Sequence, residues 1–200
     1  QHRVLAVDMK VHEGVGCHGS ILLSTTDVRV RSGSPDRLTG MATPDFVLSL
    51  RERIGHDPLP LVGTTAIVFR DEKVLLGKRA DNGTWQPISG IIDPGEEPAD
   101  AAVRECLEEA GVVVKVDRLA LVQQLPRTTY ANGDQVDYLD IVFRCTWVSG
   151  EPHPADGELT EVGFYDLAHM GEIGDAHVRK IALAVAEDDP AHFRGGRAQR

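Results

Sequence analysis

Three glutamates, Glu105, Glu108 and Glu109, fall at i, i+3 and i+4 within "PADAAVRECLEEA" (98–110). In a helix this spacing places the three carboxylates on one face, opposite Ala99, Ala102, Val103, Cys106, Leu107 and Ala110. Like charges so placed destabilise a helix by roughly 0.2–0.5 kcal/mol per pair. The spacing puts no Lys or Arg of the helix among them and leaves Arg104 toward the edge of the cluster. A hard divalent cation with oxygen ligands would neutralise such a cluster. Mg²⁺ suits a site of carboxylates and phosphate oxygens, with Mn²⁺ as a substitute. For a bare E-x-x-E-E helix the competing reading is a solvated acidic face.

The surroundings of the three glutamates narrow the choice. Gly90 to Val112 matches G-x5-E-x7-R-E-U-x-E-E-x-G-U, with U a bulky apolar residue. The fixed letters fall on Gly90, Glu96, Arg104, Glu105, Glu108, Glu109 and Gly111. At this chain's own Gly, Glu and Arg frequencies a chance match somewhere in the chain is roughly a few in a million. The segment resembles the Nudix box of the Nudix hydrolases, and "WQPISG" (85–90) resembles that family's lead-in strand. In outline the likeness covers about residues 60–185. Two positions depart from the pattern: Ser89–Gly90 stands where Gly-Gly is common, and Cys106 stands at the apolar position U.

The resemblance implies an α+β fold, an α/β/α sandwich with a mixed sheet between helices. It implies Mg²⁺-dependent hydrolysis of a nucleoside diphosphate linked to another moiety, so the partner is a small nucleotide. Carried over by residue, it makes Glu105, Glu108 and Glu109 metal ligands, one of them also a candidate base. It adds the Ser89 carbonyl as a further ligand, with Gly90 allowing close backbone approach. It pairs Glu96 with Arg104 across the loop–helix junction, where an exposed salt bridge of little energetic worth is the alternative. Arg79 resembles a phosphate contact. One more carboxylate is expected from "EPHPADGELTE" (151–161), Glu158 ahead of Glu151, Asp156 and Glu161. Tyr130, Tyr138 or Trp85 could stack on a base, although half-buried sheet aromatics are common. Pro126, 15 residues after Gly111, resembles a proline that accompanies ADP-ribose hydrolysis in some members. ADP-ribose-like substrates therefore come first. A nucleoside triphosphate sanitiser is the alternative, and a non-catalytic binding module of the same fold is the rival from another class.

The elements that must position these residues follow from pattern. Thr43 and Pro44 read as N-cap and N1 of a helix carrying Phe46, Val47, Leu50 and Ile54, stopped by Gly55. Strands are expected at 64–69, 73–78, 85–90, 112–116, 118–124, 136–148 and 161–167, with turns at Asp71–Glu72 and Asn132–Gly133. Pro98 suits N1 of the acidic helix and Gly111 its end. A last amphipathic helix is expected over 176–188. The expected domain is 41–190. Residues 1–40, turn-rich and without period, read as a poorly ordered extension, and the basic, Gly-rich tail 191–200 as a frayed end. The start at Gln1 rather than Met is what a fragment would show.

Composition sets the outer bounds. The 200 residues carry 31 acidic and 21 basic side chains, a net charge of −10. That balance repels polyanions, so nucleic acid is not the expected partner. Without a run of 18 apolar residues no membrane span is expected. Three cysteines without CxxC spacing (Cys17, Cys106, Cys145) suit reduced thiols and a cytoplasmic location. His153 and His177 read as surface residues, and a homodimer is compatible with all of this.

Overall fold

The computed structural model describes residues 43–195. The expected extension 1–40 lies outside the described residues. Helix α1 (Asp45–Ile54) forms as expected and stops at Gly55, but Pro44 rather than Thr43 is its cap residue. The carbonyl of Pro44 receives the N–H groups of Val47 and Leu48 at 2.9 and 3.2 Å.

Nine strands pair into one mixed sheet among the described residues. They are β1 (Leu59–Arg70), β2 (Lys73–Arg79), β3 (Trp85–Gln86), β4 (Ile88–Ile91), β5 (Val113–Gln124), β6 (Thr128–Thr129), β7 (Gln135–Ser149), β8 (Leu159–Asp166) and β9 (His192–Phe193). The main order is β3-β2-β1-β7-β5-β9. In addition β4 pairs with β1, β6 with β7 and β8 with β2. Strands β1 and β7 are parallel over eleven register pairs, from Leu59↔Val136 to Phe69↔Thr146.

Alternation along β1 shows how the sheet serves two helices. Ala66 and Val68 pack with Ala102, Cys106 and Ala110 of α2 (Pro98–Ala110). Ile67 and Phe69 pack with Ile181 and Ala184 of α3 (Asp175–Ala184) on the opposite face. This is the expected α/β/α sandwich.

Several boundaries differ from the pattern-based expectation. "WQPISG" is two short strands, because Pro87 has no N–H for the ladder. The segments 112–116 and 118–124 are one strand, β5, whose register shifts against β7 on either side of Asp117. The last helix stops at Ala184 instead of residue 188. Its end is met by two sheet arginines. Arg144 donates to the carbonyls of Ala184 and Val185, and Arg118 to those of Leu183 and Ala186. His192–Phe193, in the tail expected to fray, pairs with Leu121–Val122 as β9.

Beneath α3 lies a buried polar network. Lys180 Nζ is 2.8 Å from Asp140 Oδ2, and Thr65 Oγ1 donates to Asp140 Oδ1 at 2.8 Å. Gln123 Nε2 also donates to Asp140, at 3.0 Å. Removing one partner of such a pair strands a buried charge. Asp140→Ala is expected to cost about 3–5 kcal/mol in chemical denaturation. The paired change Asp140→Leu with Lys180→Met removes both charges and should cost much less.

Candidate active site

Helix α2 spans the residues expected from pattern, with Pro98 first and Gly111 closing it. Leu107, expected on its apolar face, is 53% exposed, but Ala102, Cys106 and Ala110 of that face have no exposed surface. That burial fixes the rotation of the helix about its axis, and hence the direction of its acids. Glu109 is 3% exposed, while Glu108 is 55% exposed. The three carboxylates are therefore not equivalent. Glu105 and Glu109 turn inward, and Glu108 lies at the rim.

Arg104 sits among the acids, contrary to the expectation that it would lie at the edge. Its Nε and Nη2 meet both oxygens of Glu96 at 2.8 and 2.9 Å. Its Nη1 reaches Glu105 at 2.8 Å and Glu108 at 3.0 Å. Its Nη2 also donates to the Ile91 carbonyl at 3.2 Å. The side chain is long enough to serve a neighbour one turn away and the preceding loop together. Glu96, which also accepts from the Asp93 N–H at 3.1 Å, is held below the usual carboxylate range by Arg104. This is the expected junction pair, and its bidentate geometry with an added backbone contact exceeds that of a lone surface ion pair.

Strand β4 supplies the opposite wall. Ser89 and Gly90 pair with Thr65 and Thr64 of β1. A Cβ built on Gly90 would fall 2.0 Å from the Glu105 carboxylate. Backbone and carboxylate are thus as close as the missing side chain allows.

The acid-rich loop 151–158 docks on the end of α2. The N–H groups of His153 and Ala155 donate to the carbonyls of Ala110 and Glu109, both at 3.1 Å. His153, though exposed, lies over Gly111. Gly157 turns at φ 93°, and the Glu158 N–H is held by Asp156 Oδ1 at 2.9 Å. The Glu158 carbonyl receives the Ala80 N–H at 2.8 Å. Glu158 and Asp156 thereby come close enough to act electrostatically on Glu109, and Glu158 also on Glu105 and Arg79. Glu161 is the third residue of β8 rather than its first, and its carboxylate points outward to Lys78 Nζ at 2.7 Å. Glu151 is 3.8 Å from Arg70, away from the other acids.

The electrostatics record an excess of negative charge. Burial pushes the Glu109 carboxyl up to about 9, reinforced by Glu105, Glu158 and Asp156. Burial likewise raises Glu105 to about 7, against the pull of Arg104. Arg79 is held protonated chiefly by its hydrogen bonds to Asp81.

The residues fit a divalent cation in three respects. The donors are hard oxygens, the two inward carboxyls are hindered from ionising by burial and neighbouring acids in a way a cation would relieve, and the cradle at Gly90 would be filled by any Cβ. Among the described residues no three acids, histidines or cysteines close into a cage on their own. Mg²⁺ does not require one, since it keeps several waters and takes one or two carboxylates plus substrate phosphates. The Glu105 carboxylate adjoins the Gly90 backbone, and Glu109 and Glu158 lie within electrostatic reach of it.

The aromatic candidates separate. Tyr130 hydroxyl is 2.8 Å from that of Tyr138, and both rings pack with Leu59, Leu61 and Val136. Tyr130 stays within electrostatic reach of Arg79. Trp85 packs edge-on against Tyr165 at 4.9 Å, in the α3-side core. His177, expected at the surface, is half-buried, and burial lowers it to about 4. Sequence reasoning missed Asp81, whose carboxylate grips Arg79. A groove of about 720 Å³ beside Phe69, Arg144 and Leu167 holds none of these acids.

The fold and the box together define a class, and comparison with known proteins agrees. The NUDIX domain family model matches residues 59–184. The chain belongs to the Nudix family and is a hydrolase acting on phosphoric anhydrides. It is 35% identical over 116 residues to a MutT-like protein of Streptomyces ambofaciens, covering 58% of this chain and 70% of that one. It is 30% identical over 125 residues to an ADP-ribose pyrophosphatase of Methanocaldococcus jannaschii, covering 61% and 71%. Among solved structures, the MutT NUDIX hydrolase from Burkholderia pseudomallei superposes with a TM-score of 0.54 at 26% identity, over 64% of this chain and 99% of that one.

Proposed function

We propose that this Nudix hydrolase is a Mg²⁺-dependent pyrophosphohydrolase whose substrate is a nucleoside diphosphate linked to another moiety, with ADP-ribose the first candidate. The observation that carries the reading is the pair of inward carboxylates, Glu105 against the Gly90 backbone and Glu109 within electrostatic reach of it, with Glu158 and Arg79 nearby. A cation bound there supplies positive charge to the phosphate oxygens and lowers the pKa of a bound water. Glu105, Glu109, Glu158 and the Ser89 carbonyl are its proposed ligands, with Glu108 closing the rim. Arg104 and Glu96 fix the start of the helix against β4, so that Glu105 keeps its station. Arg79 donates to a phosphate oxygen. Glu158, on the loop docked against the end of α2, orients the attacking water or takes its proton.

ADP-ribose is favoured by the name of the Methanocaldococcus relative and by Pro126, which is exposed between β5 and β6. The test is a substrate panel with Mg²⁺ present. AMP released from ADP-ribose supports the reading. Pyrophosphate released from nucleoside triphosphates, with ADP-ribose untouched, would replace it with the triphosphate alternative.

The loop residues give a second, graded result. Glu158→Gln is expected to lower kcat about 10–1,000-fold, the range for losing a positioned acid–base group or part of a metal shell. Glu161→Gln, which loses only a surface contact to Lys78, should cost much less. Steady-state kinetics of the two variants decides the order.

A further inference from the structure

The last carbonyls of a helix have no partner within it. In α2 two of them, those of Glu109 and Ala110, are met from outside by the acid-rich loop. The Ala155 N–H donates to the Glu109 carbonyl and the His153 N–H to the Ala110 carbonyl, both at 3.1 Å. Alternate N–H groups of an extended chain point the same way, so residues 153 and 155 can serve neighbouring acceptors together. The residue between them is Pro154, which has no N–H to leave without a partner. Pro154 also restricts His153 to extended backbone, as Pro152 restricts Glu151. The strap is thus stiff before it meets the helix.

The approach is close. A Cβ on Gly150 would fall 2.5 Å from the Gly111 carbonyl oxygen and 3.1 Å from the Val112 Cα. One on Gly111 would fall 2.2 Å from the His153 ring. The strap is tied at its start, where Trp147 Nε1 donates to the Gly150 carbonyl at 2.9 Å. After Ala155 only Asp156 and Gly157 precede Glu158. Asp156 Oδ1 receives the Glu158 N–H at 2.9 Å, and the Glu158 carbonyl receives the Ala80 N–H at 2.8 Å. With so short a span, where residues 153–155 sit decides how Glu158 stands toward α2. The carbonyl that Ala155 grips belongs to Glu109 itself.

We propose that His153–Pro154–Ala155 is a clamp on the C-terminal end of α2 that positions Glu158 against Glu109 for turnover. Pro154 is its positioning residue, acting only through the loop acid. This rests on the reading of Glu158 as a metal ligand or proton acceptor.

The test is a double-variant cycle on kcat, with saturating Mg²⁺ and with whichever substrate of the panel the parent hydrolyses. Parent, Pro154→Gly, Glu158→Gln and the double variant are compared. Pro154→Gly frees the strap and should lower kcat about 10–100-fold, the scale of loss when a catalytic group is misplaced by about 1 Å. In the Glu158→Gln background the same change should stay within about twofold, because the group it positions is already lost. Pro154→Ala, which restricts the backbone more than glycine does, should recover part of the loss. A strap that merely capped α2 would disturb Glu109 as well, and its effect would persist without Glu158. Such persistence overturns the inference. So does parental kcat in Pro154→Gly while Glu158→Gln is impaired. Parental kcat in Glu158→Gln removes the reading of Glu158, and this inference with it. Should Pro154→Gly melt below the assay temperature, Pro154→Ala runs the same cycle, and the same results overturn the inference.

Discussion

Glu109→Gln is expected to remove about 10²–10⁴-fold of kcat and yet leave the metal-free protein at least as stable as the parent. Both halves have one cause. Glu109 is 3% exposed, so its charge is desolvated, and Glu105, Glu158 and Asp156 oppose it further. Glutamine keeps the shape and removes the charge. The pH dependence fixes the sign. An unfolded glutamate titrates near 4.3, whereas the fold raises Glu105 to about 7 and Glu109 to about 9. The native state therefore binds more protons than the unfolded state between those values. Metal-free stability is present below about pH 4.3 and falls as pH rises toward 9. Chemical denaturation in a chelating buffer should show this fall in the parent. The Gln variant should lose less above pH 7. Equal slopes in the two proteins would contradict the assignment of Glu109 as a buried carboxyl in excess negative charge.

Gly90→Ala is expected to be as damaging to turnover, by a steric route. The added methyl would lie 2.0 Å from the Glu105 carboxyl carbon, far inside contact distance. Glu105 must move, and its bond to Arg104 at 2.8 Å moves with it. Strand β4 cannot yield easily, because Gly90 is in register with Thr64 of β1. A 1 Å misplacement of a catalytic group can cost about 10²-fold, so at least that loss in kcat is expected. The methyl's nearest contacts are all at the far end of the Glu105 side chain and none is backbone, so thermal unfolding should change little while turnover falls. A variant with parental kcat would show that Glu105 has no fixed station against the backbone.

Much of the site could be read without coordinates because it is local. One amphipathic helix with clear ends carries three of its acids, although its apolar stripe does not tell inward Glu109 from rim Glu108 and wrongly counts Leu107, 53% exposed, as buried. The same locality explains the clear bounds of α2. What escaped depends on side-chain reach and on contacts between distant segments. Arg104 looked peripheral by helical angle, but its length lets it span Glu96, Glu105 and Glu108. Asp81 follows Arg79 by two residues, and only the closed turn through Gly83 and Thr84 folds it back. The early stop of α3 is set by Arg144 and Arg118, 40 and 65 residues away from the carbonyls they meet. His177 looked like a surface residue because periodicity does not report how deeply the first turn of α3 sits.

The central claim is that these carboxylates serve phosphoric-anhydride hydrolysis by holding a divalent cation. The most direct measurement is turnover of ADP-ribose by chelator-treated protein, followed as Mg²⁺ is added back. The account predicts no product before the addition, and AMP with ribose 5-phosphate appearing in saturable proportion to Mg²⁺ after it. Undiminished turnover in the presence of chelator would contradict it.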